Sequence, residues 1–491
     1  MLSKSQYIRG LQCHKSLWLH KNSPSLKNEI SEQSESLFNT GNQVGDYAKQ
    51  LFPGGEEIEF NPDDFAGMIQ KTTNLIKNNT STIYEATFKE KGVFAMADIL
   101  QKNGEGWDVY EVKASTTTKP YHIDDAAIQY YSLSNAITIN KVFIIHINNQ
   151  YVRQGELDIH ALFVLDDITD QVLSRQEGVQ SNLKSLEIML KSSMPEIDIG
   201  HHCSDPYECD FSDYCWKNIP EPSVFNLYRL NWSKKFDLYY SGVRKYEELP
   251  NNYALTEIQR LQVDAAKNNK VRVNKPIVEE FLNSIEYPIS FFDFETFQNA
   301  IPRFDDQRPY MQMPFQYSLH IVNDDGEMTH MEFLGNENED PRRELSERML
   351  NDLPGTGSIM AYNQSFEIGR IRELADLFPD LRAELLALTE RFVDLITPFR
   401  NLGYYHPDFN GSFSIKSVLP AMFPDDPELD YKKLGIQDGG MAMDAFANLH
   451  LLKDTNKREQ IRNDLLAYCH LDTLAMVRIW GKLNGICNEH L

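Results

Sequence analysis

Long apolar runs, cysteines and basic charge are all scarce in this chain. No stretch of about 18 apolar residues occurs, which excludes an ordinary membrane-spanning helix. The opening residues Met1 to Gln6 have no signal-peptide core, and the chain is expected in the cytoplasm, away from membranes. Six cysteines in 491 residues are too few for a disulfide scaffold, and a reducing compartment points the clustered ones to another use. Lys and Arg number 48 against 72 Asp and Glu, a formal net charge of −24. That balance argues against tight, non-specific binding of duplex nucleic acid, which needs a basic surface. Cation sites consume carboxylates, and a basic groove can coexist with an acidic exterior. A catalyst that grips a short stretch or an end therefore stays open. Internal repeats and long low-complexity segments are also missing. What remains, 41% hydrophobic and 24% charged, is globular, and the length suits two or three domains.

The most informative segment is Phe291-Phe292-Asp293-Phe294-Glu295-Thr296, an apolar strand with two acids at i and i+2. Side chains alternate along a strand, so Asp293 and Glu295 share a face. Far downstream, Tyr468-Cys469-His470-Leu471-Asp472 reads as a helix that puts Tyr468 and Asp472 on one side. Between them, an apolar strand over 358–362 leads into Asn363-Gln364-Ser365-Phe366-Glu367, which opens a helix. Charges inside apolar elements are costly unless paired or metal-bound. Acids converging from a strand and helices suit hard divalent cations. In order and spacing, the three motifs resemble those of DEDD exonucleases of the RNase H-like superfamily, in the variant whose third motif is Tyr-x-x-x-Asp. The resemblance implies that Asp293, Glu295, Glu367 and Asp472 hold two Mg²⁺ or Mn²⁺ ions and that Tyr468 positions the attacking water. Where that family has Asp, this chain has the longer Glu367.

The front half carries a second acidic constellation. The segment 92–100 reads as a strand ending near Asp98. A turn at Asn103-Gly104-Glu105-Gly106 follows, and Trp107 to Lys113 forms the hairpin partner, with Glu111 and Lys113 on one face. A helix then carries Asp124 to Tyr131, including Gln129, and a strand over 141–147 closes the unit. Asp98, Glu111-x-Lys113 and the helical Gln129 resemble the PD-(D/E)XK nuclease core of the RecB-like branch. An exposed ion pair is the plain alternative for Glu111 and Lys113. Cys203, Cys209 and Cys215 follow a Cys-x5-Cys-x5-Cys spacing, and Cys13 lies far upstream. Four thiolates suit a [4Fe–4S] cluster or zinc; His201 and His202 keep zinc open, and unligated packing is the third reading. One Cys before the core and three after it resemble iron–sulfur RecB-family nucleases. That likeness implies that Asp98 and Glu111 bind metal, Lys113 orients or activates water, Gln129 supports the site, and the four cysteines hold the cluster. Many such relatives carry an upstream His ligand. The equivalent stretch here, Gly41 to Asp46, has none, which leaves Asp46 as a substitute or the ion with fewer ligands.

The arrangement as a whole resembles a bacterial family whose C-terminal half is classed as a domain of unknown function, number 2779. The carriers are the first twenty residues, Cys203 to Trp216, Phe292 to Thr296 and the final Tyr-x-x-x-Asp. The expected fold class is α/β. A PD-(D/E)XK domain (1–217) and an RNase H-like domain (288–491) flank a helical linker (218–287). The expected function is a metal-dependent nuclease, a 3′–5′ exonuclease acting through the back domain on single-stranded DNA or frayed ends. The competing expectations are an iron–sulfur nucleic-acid-binding scaffold with one or both sites inactive, and an RNA-processing exonuclease.

Smaller signals are more ambiguous. In the linker, a helix over 227–244 broken at Ser241-Gly242-Val243 suits either a helix-hairpin-helix or plain packing. Lys267, Lys270, Arg272 and Lys275 form either a guiding basic patch or a solvated face. Lys416 is placed to touch phosphate or to pair with an acid, and Asp394 to cap a strand end or support the site. Cys469 and Cys487 read as packing residues.

Overall fold

The structure, a computed structural model, describes residues 1–29 and 32–488. The last three residues of the expected back domain, 489–491, lie outside the described residues. The chain forms two compact units, one of residues 1–218 and 299–310, the other of residues 219–298 and 311–491. It is a mixed α/β structure. No helix among the described residues is long and apolar enough to cross a membrane.

The first unit is built on β1 (Leu2–Ser3), β2 (Glu56–Glu57), β3 (Thr82–Glu90), β4 (Val93–Asn103), β5 (Gly106–Lys113), β6 (Ile139–Ile147) and β7 (Phe163–Asp167). Their order is β2-β3-β4-β5-β6-β7, with β1 beside β4. β3, β4 and β5 form an antiparallel meander. Gly104, at φ +58, makes the β4–β5 turn at a backbone angle that side chains resist. β5 is buried along its first six residues, as befits a central strand covered on both faces. β5 and β6 run parallel, so a crossover is required, and the helix Pro120–Leu133 supplies it. Pro120 sits in its first turn, where its missing N–H is harmless. Ile123, Ala126, Ala127 and Ile128 bury that helix in a core with Ala95, Ala97, Leu100 and Val109.

The second unit holds β8 (Arg272–Val273), β9 (Ile289–Phe297), β10 (Met313–Val322), β11 (Met328–Leu334), β12 (Ile359–Ala361), β13 (Phe392–Asp394) and β14 (Tyr404–Tyr405). Five of them form a sheet in the order β11-β10-β9-β12-β13. β10 is antiparallel to β9 and β11, whereas β12 is parallel to β9 and β13. Every residue of β10 is buried. The helix Thr455–Asn488, 34 residues and so about 51 Å long, packs against β9 and β10. Helix Gly439–Leu449 also meets β9, capped by Asp438, whose side chain accepts from the Met441 N–H. In the former linker segment, the helix covers only Trp232–Tyr240, and Gly242 turns the chain at φ +91. Arg272 is not a loose cation there, because it pairs with Asp264.

Candidate functional site

Strand alternation brings Asp293 and Glu295 to one face of β9, and the antiparallel register sets Ser318 and Gln316 of β10 beside them. Helix Thr455–Asn488 lies over that face and delivers Tyr468, Cys469 and Asp472. Glu367 comes from the first turn of helix Ser365–Leu377, directly after β12. Asn363 turns the chain into that helix at φ +72, a left-handed angle that Asn tolerates. Its N–H donates to Asp394 Oδ1 at 2.8 Å, which makes Asp394 the clamp on this turn.

These acids share one electrostatic environment. Burial, then Asp472, Glu295 and Glu367, raise Asp293 well above the carboxylate range. Burial and Asp472 do the same to Glu295, against relief from Lys416. Glu367 is pushed to about 8, by burial first and Asp394 in part, with relief from Arg370. Its Oε2 is buried and has no hydrogen-bond partner. Asp472 is raised by burial to about 6, softened by the Tyr431 hydroxyl, Lys416 and Tyr468. Tyr431 donates to Asp472 Oδ1 at 2.5 Å. Tyr468 is pushed far up by burial and the surrounding carboxylates, so it keeps its proton. Lys416 Nζ stands 5.9 Å from the ring centroids of both Tyr431 and Tyr468. Four carboxylates facing so little positive charge fit a hard cation through oxygen donors. The Cys469 Sγ and a carboxylate oxygen from each of Asp293 and Glu295 lie within 4.8 Å of one another. Burial and the acids hold that thiol well above its ordinary range, so it stays protonated beside the site. Neither Cys469 nor Tyr431 was legible as a site neighbour, since the former reads as packing and nothing marks the latter.

The first unit gathers Asp98, Glu111, Lys113 and Gln129, but the balance of charge differs. Glu111 Oε1 accepts from Lys4 Nζ at 2.6 Å and Lys113 Nζ at 2.8 Å, and its Oε2 from Gln129 Nε2 at 2.8 Å. Lys113 also reaches Asp125 Oδ2 at 2.5 Å. Burial alone would raise Glu111, yet the two lysines hold it well below its ordinary value. Asp98 is raised to about 6, by burial first and then by Glu111. Its Oδ2 accepts from the Val112 N–H at 2.6 Å. Glu85 on β3 stands level with Asp98, between the pairs Tyr84–Ile99 and Ala86–Ala97. It sits at φ +55 and is pushed to about 8, by burial and then by Asp98. A strained non-glycine backbone at an acidic cluster is the kind of outlier that active sites retain. The Asp46 side chain is 74% exposed and pairs with Lys49. Lys4, Glu85 and Asp125 join this cluster without any signal of spacing, because each is remote in sequence or lies on the face of another element.

Cys13, Cys203, Cys209 and Cys215 all line one cavity, together with Lys15, Asp198 and His202. Cys13 closes the helix Lys4–Gln12, whose other end presents Lys4 to Glu111. A tetrahedral zinc with Zn–S bonds of about 2.3 Å draws its sulfurs to about 3.8 Å of one another. Among the described residues, the groups of three or more metal-ligating side chains with ligand atoms within 4.8 Å are Asp293–Glu295–Cys469 and His320–His330–His470. The cysteine quartet is wider than that.

Residues 290–414 match a family described as a domain of unknown function, DUF2779. The match takes in Asp293, Glu295, Glu367 and Asp394 and ends before Lys416, Tyr468 and Asp472. Three curated bacterial proteins are similar to this chain. Uncharacterized protein UU173 of Ureaplasma parvum is 27% identical over 45% of this chain and 35% of its own length. Uncharacterized protein MG366 of Mycoplasma genitalium is 22% identical over 74% of this chain and 61% of its own length. The MG366 homolog of Mycoplasma pneumoniae is 28% identical over 38% of this chain and 31% of its own length. This chain thus spans from about a third to about three fifths of the relatives it matches.

Proposed function

We propose that this chain is a metal-dependent nuclease whose chemistry resides in the second unit. The observation that carries the reading is the set Asp293, Glu295, Glu367 and Asp472, all raised above their ordinary pKa values chiefly by burial, with Asp293 and Glu295 raised further by the other acids of the set. Such a set stays ionised in water-poor surroundings only with cations beside it. The sheet order with β9 central, β10 antiparallel and β12 and β13 parallel supports an RNase H-like DEDD exonuclease fold. When bound, a pair of Mg²⁺ or Mn²⁺ ions acidifies an attacking water and takes up charge on the scissile phosphate. The chain's own residues do the rest. The four carboxylates fix the site; Tyr468, kept protonated, donates a hydrogen bond that orients the water; Lys416 offers its charge to an adjacent phosphate. A recess built this way suits one strand, so the proposed substrate is single-stranded DNA or a frayed end, cut 3′ to 5′. RNA is the alternative polymer.

For the first unit, the meander β3-β4-β5 followed by a helix and parallel β6 supports a RecB-like PD-(D/E)XK fold. The cysteine quartet supports a [4Fe–4S] cluster, with zinc as the alternative. One observation favours a second reading of this unit. Both Glu111 oxygens are already engaged by Lys4, Lys113 and Gln129, which suits a nucleic-acid-binding scaffold better than an active nuclease.

The deciding assay uses end-labelled single-stranded DNA and RNA with Mg²⁺ or Mn²⁺. We expect cleavage by the wild type and by Glu111→Gln, and at least about a 1,000-fold loss with Asp293→Asn. Activity lost with Glu111→Gln and kept with Asp293→Asn would move the chemistry to the first unit. Binding without cleavage of either polymer would leave a scaffold.

A further inference from the structure

The face of the sheet that holds Asp293 and Glu295 continues across β10 and β11 as a polar strip. His320 of β10 stands directly opposite His330 of β11, and Ser318 directly opposite Glu332. Helix Thr455–Asn488 covers the strip and inserts His470, two residues after Tyr468 and two before Asp472. The three imidazoles form a tight triangle. Ring centroids are 4.4 Å apart for His320–His330, 4.8 Å for His320–His470 and 4.4 Å for His330–His470. One ring nitrogen from each lies within 4.8 Å of the others. His470 Nδ1 and His330 Nε2 are 3.3 Å apart. A tetrahedral ion with metal–nitrogen bonds of about 2.0–2.1 Å sets its ligand nitrogens about 3.3–3.4 Å apart.

The surroundings orient His320 as a metal site requires. Thr473 donates its hydroxyl proton to the His470 carbonyl at 3.1 Å. The same oxygen then accepts from His320 Nδ1 at 2.8 Å, which leaves the lone pair on His320 Nε2. Ser318, fully buried, stands 2.7 Å from Thr473 Oγ1 and 3.0 Å from His330 Nε2, and an ion taken up at that nitrogen displaces this hydroxyl. Glu332, opposite Ser318 on β11, is exposed, so a carboxylate stands on the open side of the strip.

We infer that His320, His330 and His470, with Glu332 on the open side, form a second metal site selective for a late first-row divalent ion such as Zn²⁺. Imidazole nitrogen prefers such ions, whereas the neighbouring carboxylates prefer hard Mg²⁺ or Mn²⁺. The site ties β10, β11 and the long helix together and so fixes the helix turn that carries Tyr468 and Asp472. It stands on its own donors and does not require that the acids act on nucleic acid.

The test is a titration of the chelator-stripped full chain with Co²⁺ and then Zn²⁺, in excess Mg²⁺. Calorimetry counts the ions, and Co²⁺ absorption separates nitrogen–oxygen ligation from thiolate charge transfer. We expect one ion per chain with nitrogen–oxygen spectra, retained in Cys209→Ser and Asp293→Asn. Affinity should fall by more than about 100-fold in His470→Ala and His330→Ala, and by about 10–100-fold in Thr473→Val. His330 lies on the edge strand, so His330→Ala keeps the test valid if His470→Ala fails to fold. Stoichiometry and affinity unchanged in His330→Ala, or only thiolate-type spectra in the wild type, would overturn the inference.

Discussion

Replacing Glu367 by Gln should strengthen the protein while disabling it, and the size of the gain can be worked out. Glu367 is raised from an ordinary 4.5 to about 8, chiefly by burial. It is 3% exposed, so solvent screens little of this. With its folded value above its unfolded one, the folded state binds the extra proton, and stability falls as pH rises from the unfolded pKa towards the folded one. At about pH 7 the gap from 4.5 spans about 2.5 pKa units, which at about 1.36 kcal/mol each costs on the order of 3 kcal/mol. Gln carries no charge and avoids that cost. Urea unfolding of both proteins in EDTA should therefore show equal stability near about pH 4 and an advantage of about 2–3 kcal/mol for Glu367→Gln near about pH 7. Adding Mg²⁺ should stabilise the wild type by about 2.7 kcal/mol at 100 times its Kd and erase the difference. Nuclease activity should fall with the substitution. A variant that is weaker than wild type at neutral pH in EDTA, or a difference independent of pH, would refute the reasoning.

Three further outcomes bear on other parts of the chain. Lys4→Met removes one of two cations from buried Glu111, and should cost about 1–3 kcal/mol in metal-free buffer, with a larger Mn²⁺-induced rise in melting temperature than the wild type shows. Cys209→Ser should abolish the brown, dithionite-bleachable absorption of anaerobically purified protein; colourless, zinc-loaded wild type would replace the cluster with zinc. Gly357→Ala should lower stability by about 2–4 kcal/mol in thermal unfolding, because Gly357 sits at φ +85 and an added Cβ would fall 2.1 Å from the Pro288 carbonyl oxygen.

Local relations are readable from the chain itself. The alternation around Asp293 and Glu295, the turn at Gly104, and the strand-to-helix step before Glu367 each follow from neighbours within a few residues. The partners brought by topology are not readable this way. Lys4 reaches Glu111 across more than a hundred positions, and His320, His330 and His470 come from three elements with no shared spacing. Cys469 reads as a packing residue in its helix; only the fold brings its Sγ within 4.8 Å of carboxylate oxygens of Asp293 and Glu295. Glu85 is hidden for a different reason. Its place in a regular strand gives no hint of its left-handed backbone.

The long helix has a consequence for synthesis. Asp472 lies about 180 residues downstream of Glu295, which at about 5–20 residues per second means a delay of about 10–35 s between the two leaving the ribosome. During that interval β9 can pair with β10 while its acids have no covering helix. A nascent or truncated chain that stops before Tyr468 therefore holds only part of the acidic cluster, which is completed when this rod docks.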